Sequence, residues 1–389
     1  MKNMAAAIDF GTSKIVTFIA ESGSYHRCDI VGAGTVQYDG FLDGYWNAPD
    51  LVDQAIRASI AEAEAQAHRR VRDVYVGVPG EFCRVYVSET QVHLRGADPR
   101  VTPQDIERVF AQATEDIQPL RGVIVHRSPA WFTVDEGKKT MEPLGMKGST
   151  LRALVSFIVA EDFFLSDVSR RIQQLGLTLN GFFSSSVGQA LLFLPPEERD
   201  RVAVLVDVGY LSTEVMAVEG DALIFQKVIG IGGGHISADL VFGLETTMAT
   251  AEQLKRSYTF DGAQQTASSP QDANFSHEKV AEVLEPRVDE LCEYIKECIE
   301  HSGVRLDNWS NVYLTGGGLA LMNGGRAYLS AQLGRAVRAT SPKAAKFNSP
   351  VYSSALGLID LVFGSLEDQE EGVGVMGKIS AFFRNLLKG

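Results

Sequence analysis

Ile8-Asp9-Phe10-Gly11-Thr12-Ser13-Lys14 is the stretch on which the reading of this chain turns. An apolar strand ends in an acid, turns through glycine and hydroxyl residues, and resumes as a second apolar run at residues 15–20. A hairpin of this composition can hold phosphates. Gly11 lets the backbone approach an anion, Thr12 and Ser13 donate hydrogen bonds, Lys14 neutralises charge, and Asp9 suits a hydrated magnesium ion. An ordinary hairpin turn has the same outline, so this heptapeptide does not decide the matter alone.

A second copy of the design follows at Val206-Asp207-Val208-Gly209-Tyr210-Leu211-Ser212-Thr213-Glu214, again strand, acid, glycine, hydroxyls, strand. Two such hairpins predict two similar halves. A third element, Val312-Tyr313-Leu314-Thr315-Gly316-Gly317-Gly318, ends a strand in glycines, where a flat base or ribose can lie against the backbone.

Short strands rich in Val and Ile are expected at residues 5–10, 15–20, 74–78, 203–208, 214–218, 223–229 and 312–315. Helical patterns lie between them: residues 51–67 place Leu51, Ala55, Ala58 and Ala65 near one face, and residues 168–175 place Val168, Ile172 and Leu175 at helical spacing. The alternation predicts an α/β class. Residues 84–161 break the pattern, with polar-apolar alternation over 84–94 and then a helix start at Thr102. Thr102 caps, Pro103 suits the first helical position, Asp105 favours the dipole, and Ile106, Val109, Phe110 and Ala113 follow on one face. Extended segments at 123–125 and 152–160 complete a compact inserted subdomain. Residues 260–275 are poor in large aliphatics and are expected to form an exposed loop.

The chain of 389 residues, 45% hydrophobic and 22% charged, has the bulk of one large or two ordinary globular domains. Its net charge of −13 disfavours nucleic-acid binding, which needs a basic face. Cys28, Cys83, Cys292 and Cys298 form no CxxC pair, which suggests neither zinc nor a disulfide framework and points to a reducing compartment. No signal peptide or bilayer-spanning run is expected.

The order and separation of the three elements resemble the phosphate-one, phosphate-two and adenosine motifs of the actin, Hsp70 and sugar-kinase superfamily. Within it the chain resembles the FtsA family, the bacterial cell-division actin homologues, over nearly its whole length. Three features carry the likeness. The insert contains VTPQDIERVFAQA, VIVHRSPAWFTVDEGKK and EPLGMKGSTLRALVSFIVA. IGIGGGHISADL followed by AEQLKRSY is similar to the family's nucleotide loop and helix. The third feature is the tail, GKISAFFRNLLKG, which puts Ile379, Phe382, Phe383, Leu386 and Leu387 on one helical stripe beside Lys378, Arg384 and Lys388. A basic amphipathic tail after an acidic stretch suits the surface of a membrane.

The resemblance implies an actin-like two-lobed fold, built from duplicated ribonuclease H-like domains, that binds ATP and magnesium in the cleft between lobes. Asp9, Gly11, Thr12, Ser13 and Lys14 would hold phosphates with Asp207, Gly209, Ser212 and Thr213. Asp9 and Asp207 would place magnesium through water. Gly232, Gly233, Gly234, Gly316, Gly317 and Gly318 would flank the adenosine, and Glu252 and Lys255 would approach ribose and base. One departure stands out, for Tyr210 and Leu211 replace two glycines of the usual phosphate-two run, which narrows room for the γ-phosphate and implies weak hydrolysis.

The implied division assigns residues 1–83 and 162–199 to the first lobe, 84–161 to the insert, 200–250 and 310–340 to the second lobe, and 251–309 to its tip. Residues 341–364 would be a connecting helix, 365–376 a flexible acidic linker and 377–389 a membrane-targeting helix. The implied role is a polymer on the cytoplasmic side of the cell membrane at the division site. Its partners would be the C-terminal tail of FtsZ, other copies of itself, anionic lipid and other division proteins, with no nucleic acid. The rivals are a small-molecule kinase of the same superfamily and a pilus-assembly or shape-determining actin homologue.

Overall fold

The computed structural model describes residues 4–23, 28–118, 120–260, 275–307, 310–340 and 347–371. The first lobe opens with β1 (Met4–Phe10), β2 (Lys14–Ser22) and β3 (Cys28–Gln37), then a small hairpin of β4 (Phe41–Leu42) and β5 (Tyr45–Trp46), α1 (Pro49–Ala67) and β6 (Asp73–Val78). The insert comprises β7 (Cys83–His93), α2 (Pro103–Asp116), β8 (Val123–Val134) and β9 (Thr150–Ala160). The chain returns to the first lobe through α3 (Asp162–Gln174), β10 (Thr178–Ser184), α4 (Ser185–Phe193) and α5 (Pro196–Arg199). The second lobe follows with β11 (Ala203–Val208), β12 (Thr213–Glu219), β13 (Ala222–Ile229), α6 (Gly233–Gly243), α7 (Met248–Ser257) and α8 (His277–Glu300). It is completed by β14 (Val312–Thr315), α9 (Gly325–Leu333) and β15 (Val337–Ala339), and α10 (Ser353–Glu371) runs back to the first lobe.

The two five-stranded sheets have one topology. Their orders are β3-β2-β1-β6-β10 and β13-β12-β11-β14-β15, and in each a three-stranded antiparallel meander is extended by two parallel strands. The halves suggested by the two acid-glycine hairpins are therefore structural duplicates. A single apolar cluster crosses between them, joining Ile8, Phe82 and Ile158 to Leu205, Met216, Leu223 and Tyr313. Each such side chain contributes about 1.5–3 kcal/mol on burial, so the floor beneath the two lobes is strongly bonded.

The insert forms a separate sheet, β7-β9-β8, with α2 on one face. Thr102 and Asp105 make a capping box, Thr102 accepting from the Asp105 amide while Asp105 accepts from the Thr102 amide at 2.9 Å. Ile106, Val109, Phe110 and Ala113 are all buried, as their spacing requires. Near β8, Ser156 donates to the Leu223 carbonyl at 2.5 Å and Lys139 pairs with Glu219, so the insert rests on the second lobe.

Two expectations are corrected. The buried face of α1 is Val52, Ala55, Ile56, Ser59, Ile60 and Ala63, whereas Leu51 and Ala65 are exposed. The alanine stripe lost to the neighbouring face because Val and Ile remove more apolar area from water, and Ser59 meets Thr17 of β2 at 2.8 Å. The second concerns the linker expected from residue 365, for α10 continues to Glu371. Acidic residues are tolerated in a helix once nucleation is provided by the buried face of Leu358, Ile359, Val362 and Phe363. The rest of that linker, the amphipathic tail at 377–389, and residues 261–274 of the loop lie outside the described residues. Among those described, no helix is long and apolar enough to cross a membrane.

Candidate functional site

Both acid-glycine hairpins open onto one cavity of about 710 Å³ between the lobes. Asp9, Gly11, Thr12, Ser13, Lys14, Asp207, Gly209, Ser212, Gly233, Glu252, Lys255, Gly316, Gly317 and Gly318 all line it. The hairpins are tied across the cleft by the Leu211 amide, which donates to Thr12 Oγ1 at 3.1 Å.

The two helices that connect the lobes also set the two acids. Asp9 Oδ1 accepts from Ser185 Oγ of α4 at 2.7 Å and from Ser354 Oγ of α10 at 3.0 Å. Asp207 Oδ2 accepts from Gln189 Nε2 of α4 at 2.5 Å, and Gln189 Nε2 also reaches Ser353 Oγ at 2.8 Å. The helices approach closely because Gly188 and Gly357 face each other; a Cβ on Gly188 would stand 2.4 Å from the Gly357 carbonyl oxygen. Neither Ser185, Gln189, Ser353 nor Ser354 was foreseen, and no local motif marks them, because they reach the acids from elsewhere in the chain.

Three buried carboxylates, Asp9, Asp207 and Glu214, share the floor of the cleft with Lys14, while Lys255 on the wall is paired with Glu252. Burial raises the pKa of Asp9 despite its two hydroxyl donors and Lys14, and burial pushes Asp207 up to about 6, with Asp9 adding to the rise. Burial lowers Lys14, opposed by Asp9 and Asp207. Glu214, the cross-strand partner of Asp207, is pushed up to about 8, mainly by burial and then by both aspartates. Among the described residues its Oε1 has no hydrogen-bond partner, nor do the amide atoms of nearby Gln226. Glu214 closed the second motif in the sequence without being assigned a role; its register opposite Asp207 is what brings it to the site.

These features fit a metal-nucleotide. A hydrated cation would relieve the repulsion among Asp9, Asp207 and Glu214, and Lys14 would meet phosphate oxygens. Gly316 has φ +85°, and a Cβ there would lie 2.2 Å from Asp207 Oδ1, so the Gly316–Gly318 loop passes where only glycine fits.

Four expected positions play other parts. Thr213 is fully buried and donates to the Ile231 carbonyl at 2.7 Å. Gly232 and Gly234 do not line the cavity; the Gly232 amide donates to His235 Nδ1 and the Gly234 amide to the Tyr210 carbonyl at 2.7 Å. Lys255 lines the wall, yet its ammonium is 2.8 Å from the Gly233 carbonyl, 2.7 Å from Ser237 Oγ and 2.8 Å from Glu252 Oε1. It braces the first turn of α6 against α7 and has little left for a base. The Tyr210 ring, which lines the cavity, lies over Gly234, where a Cβ would meet three ring atoms within 3.0 Å.

Duplicated sheets, paired acid-glycine hairpins and a shared interlobe cleft define the chain as an actin-like protein. The family model of cell division protein FtsA matches residues 204–357 and that of the SHS2 domain inserted in FtsA matches residues 80–159. The chain belongs to the FtsA family of cell division proteins. It is 28% identical to cell division protein FtsA of Pseudomonas aeruginosa, covering 96% of this chain and 91% of that protein. It is 25% identical to FtsA of Bacillus subtilis, covering 95% and 85%. Among solved structures, the PilM-PilN type IV pilus biogenesis complex is similar with a TM-score of 0.63 at 19% identity, over 92% of this chain and 98% of that one. MreB 5 of Spiroplasma citri bound to AMPPNP is similar with a TM-score of 0.56 at 11% identity, over 95% and 99%. At these identities the two structures speak for the fold alone.

Proposed function

We propose that this chain binds ATP with a water-held magnesium ion in the interlobe cleft, polymerises on the inner face of the cytoplasmic membrane at the division site, and anchors FtsZ there through the FtsZ C-terminal tail. The convergence of Asp9, Lys14, Asp207 and the Gly316–Gly318 loop on one cavity carries the nucleotide part. The actin-like MreB 5 has been seen with AMPPNP and with ADP, which supports it. Membership of the FtsA family supports the division role. In this cleft Asp9 and Asp207 hold the hydrated cation, Lys14 and the hairpin amides hold phosphates, and Gly316 to Gly318 lie against the nucleoside.

Calorimetry on the Asp9→Ala, Asp207→Ala double variant tests the site: ATP affinity should vanish while the protein stays folded. Undiminished affinity would place the nucleotide elsewhere. Hydrolysis is expected to be weak, because Tyr210 and Leu211 stand where the family usually has glycines and the Leu211 amide is already bonded to Thr12, so it is not free to meet a γ-phosphate. Rapid phosphate release by the protein alone would contradict this, and phosphate transfer to a sugar or acid would favour the kinase reading.

A further inference from the structure

The wall of the cleft formed by α6 offers few donors to an anion. The helix N-terminus, which would otherwise supply them, is closed: the Gly233 amide donates to the Gly209 carbonyl at 2.9 Å, the Gly234 amide to the Tyr210 carbonyl at 2.7 Å and the His235 amide to the Gly232 carbonyl at 3.1 Å. The ammonium of Lys255 is spent on Gly233, Ser237 and Glu252. Arg256, which also lines the cavity, is largely exposed and lies 3.7 Å from Glu252, whereas a second polar group on this wall is held in place by packing. The Tyr210 side chain lines the cavity, and among the described residues its hydroxyl has no hydrogen-bond partner.

The place of that hydroxyl is set from both ends. The backbone of Tyr210 belongs to the phosphate-two turn, directly after Gly209. Its ring lies over Gly234, with Cε1 and Cζ each 2.9 Å and Cε2 3.0 Å from where a Cβ would stand, so the hydroxyl-bearing edge of the ring rests on the first turn of α6. One turn further along α6, Ser237 donates to Glu252 at 2.6 Å, and it is Glu252 whose charge, after burial, raises the pKa of Tyr210. The phenol thus stands between the Asp207–Gly209 turn and the Glu252 carboxylate. It remains a donor at neutral pH.

We propose that Tyr210 is a nucleotide-binding residue whose hydroxyl donates a hydrogen bond to the phosphate chain of a bound nucleoside di- or triphosphate at its ribose end, replacing the donors that the closed helix N-terminus and Lys255 withhold. This rests on the nucleotide reading of the cleft. A side chain supplies this donor, and Gly234 is the residue that makes room for the ring.

Tyr210→Phe tests the inference, since it keeps the ring over Gly234 and removes only the hydroxyl. Affinities for Mg-ADP and Mg-ATP, measured by calorimetry on the full chain, should fall alike by about tenfold, the effect of losing one hydrogen bond to a charged group. Tyr210→Leu should lose at least as much, and its thermal midpoint reports separately on the packing over Gly234. Affinities unchanged in Tyr210→Phe would overturn the proposal, and so would a loss confined to ATP, which would put the contact at the γ-phosphate. Failure of the unaltered protein to bind either nucleotide would instead remove the nucleotide reading itself, and this inference with it.

Discussion

Glu214 shows how a single residue ties the cleft to pH. Its carboxyl is buried beside Asp207, with a pKa of about 8 in the fold against 4.5 when exposed, and Asp207 rises from 3.8 to about 6. A raised folded-state pKa means the native protein holds protons that the unfolded chain has released. The stability due to Glu214 is therefore fully present below about 4.5 and is lost as pH rises to about 8. Glu214→Gln, which keeps the shape and abolishes the titration, should flatten the fall in thermal midpoint across that range. At pH 8 it should raise the midpoint above that of the unaltered protein. A variant that melts in parallel with the unaltered protein from pH 5 to 8 would show that Glu214 stays ionised. Nucleotide affinity should follow the opposite course, strengthening as pH rises through about 6, because Asp207 must be ionised to hold the cation.

At the scale of elements, two contacts have effects that can be measured. The Thr102 and Asp105 box starts α2, whose apolar face fills the insert. Thr102→Ala should lower the stability of the insert by about 0.5–2 kcal/mol, read as a shift in the denaturant midpoint, with ATP binding unaffected. The crossing of α4 and α10 is less forgiving. A side chain at Gly188 meets Gly357 backbone atoms at 2.4 and 2.6 Å, which cannot rotate away. Gly188→Leu should part the helices that hold Ser185, Gln189, Ser353 and Ser354, and so lose nucleotide affinity without touching the cavity wall. Normal affinity in a folded Gly188→Leu protein would show that the helices do not set the acids.

For the whole molecule, the proposed anchor and the proposed partner site are separate questions. We propose the second-lobe tip as the site for an acidic FtsZ tail, with Arg287 or Lys296 of α8 as the basic contact. Arg287 pairs with Asp239 at 2.5 Å and with Glu290, so Arg287→Ala should affect packing of α8 on α6 more than affinity. The exposed Lys296 is the better test, although Glu293, Glu297 and Glu300 surround it on α8. Lys296→Glu should weaken binding of a tail peptide several-fold at low salt, and an unchanged affinity would remove this residue from the site. For the segment 377–389, burial of its apolar stripe in lipid gains about 1.5–3 kcal/mol per side chain before the cost of ordering the helix, so one copy should bind reversibly. Polymerisation would align many copies and raise avidity without new contacts. A Phe382→Glu, Phe383→Glu protein should still polymerise but fail to float with anionic liposomes; continued flotation would place the anchor elsewhere.

The sequence by itself determined what depends on neighbours along the chain. Strand, acid, glycine and hydroxyls in two copies foretold the duplicated sheets, and Thr102-Pro103-Gln104-Asp105 foretold the start of α2, because turn and cap chemistry act over three or four residues. Only the tertiary structure decided which groups meet across distance. Ser354 reaches Asp9 from 345 residues away, Glu214 is buried by a register opposite Asp207, and Lys255 is consumed by the α6 turn. Nothing local distinguishes these residues from other serines, glutamates and lysines. The same holds for Tyr210, whose bulk was legible in the chain as an obstacle, whereas its direction is set by a glycine 24 positions later that leaves space for the ring. Composition and pattern constrain the backbone through local sterics and periodicity, but burial, and with it protonation and free donors, is a property of the packed whole.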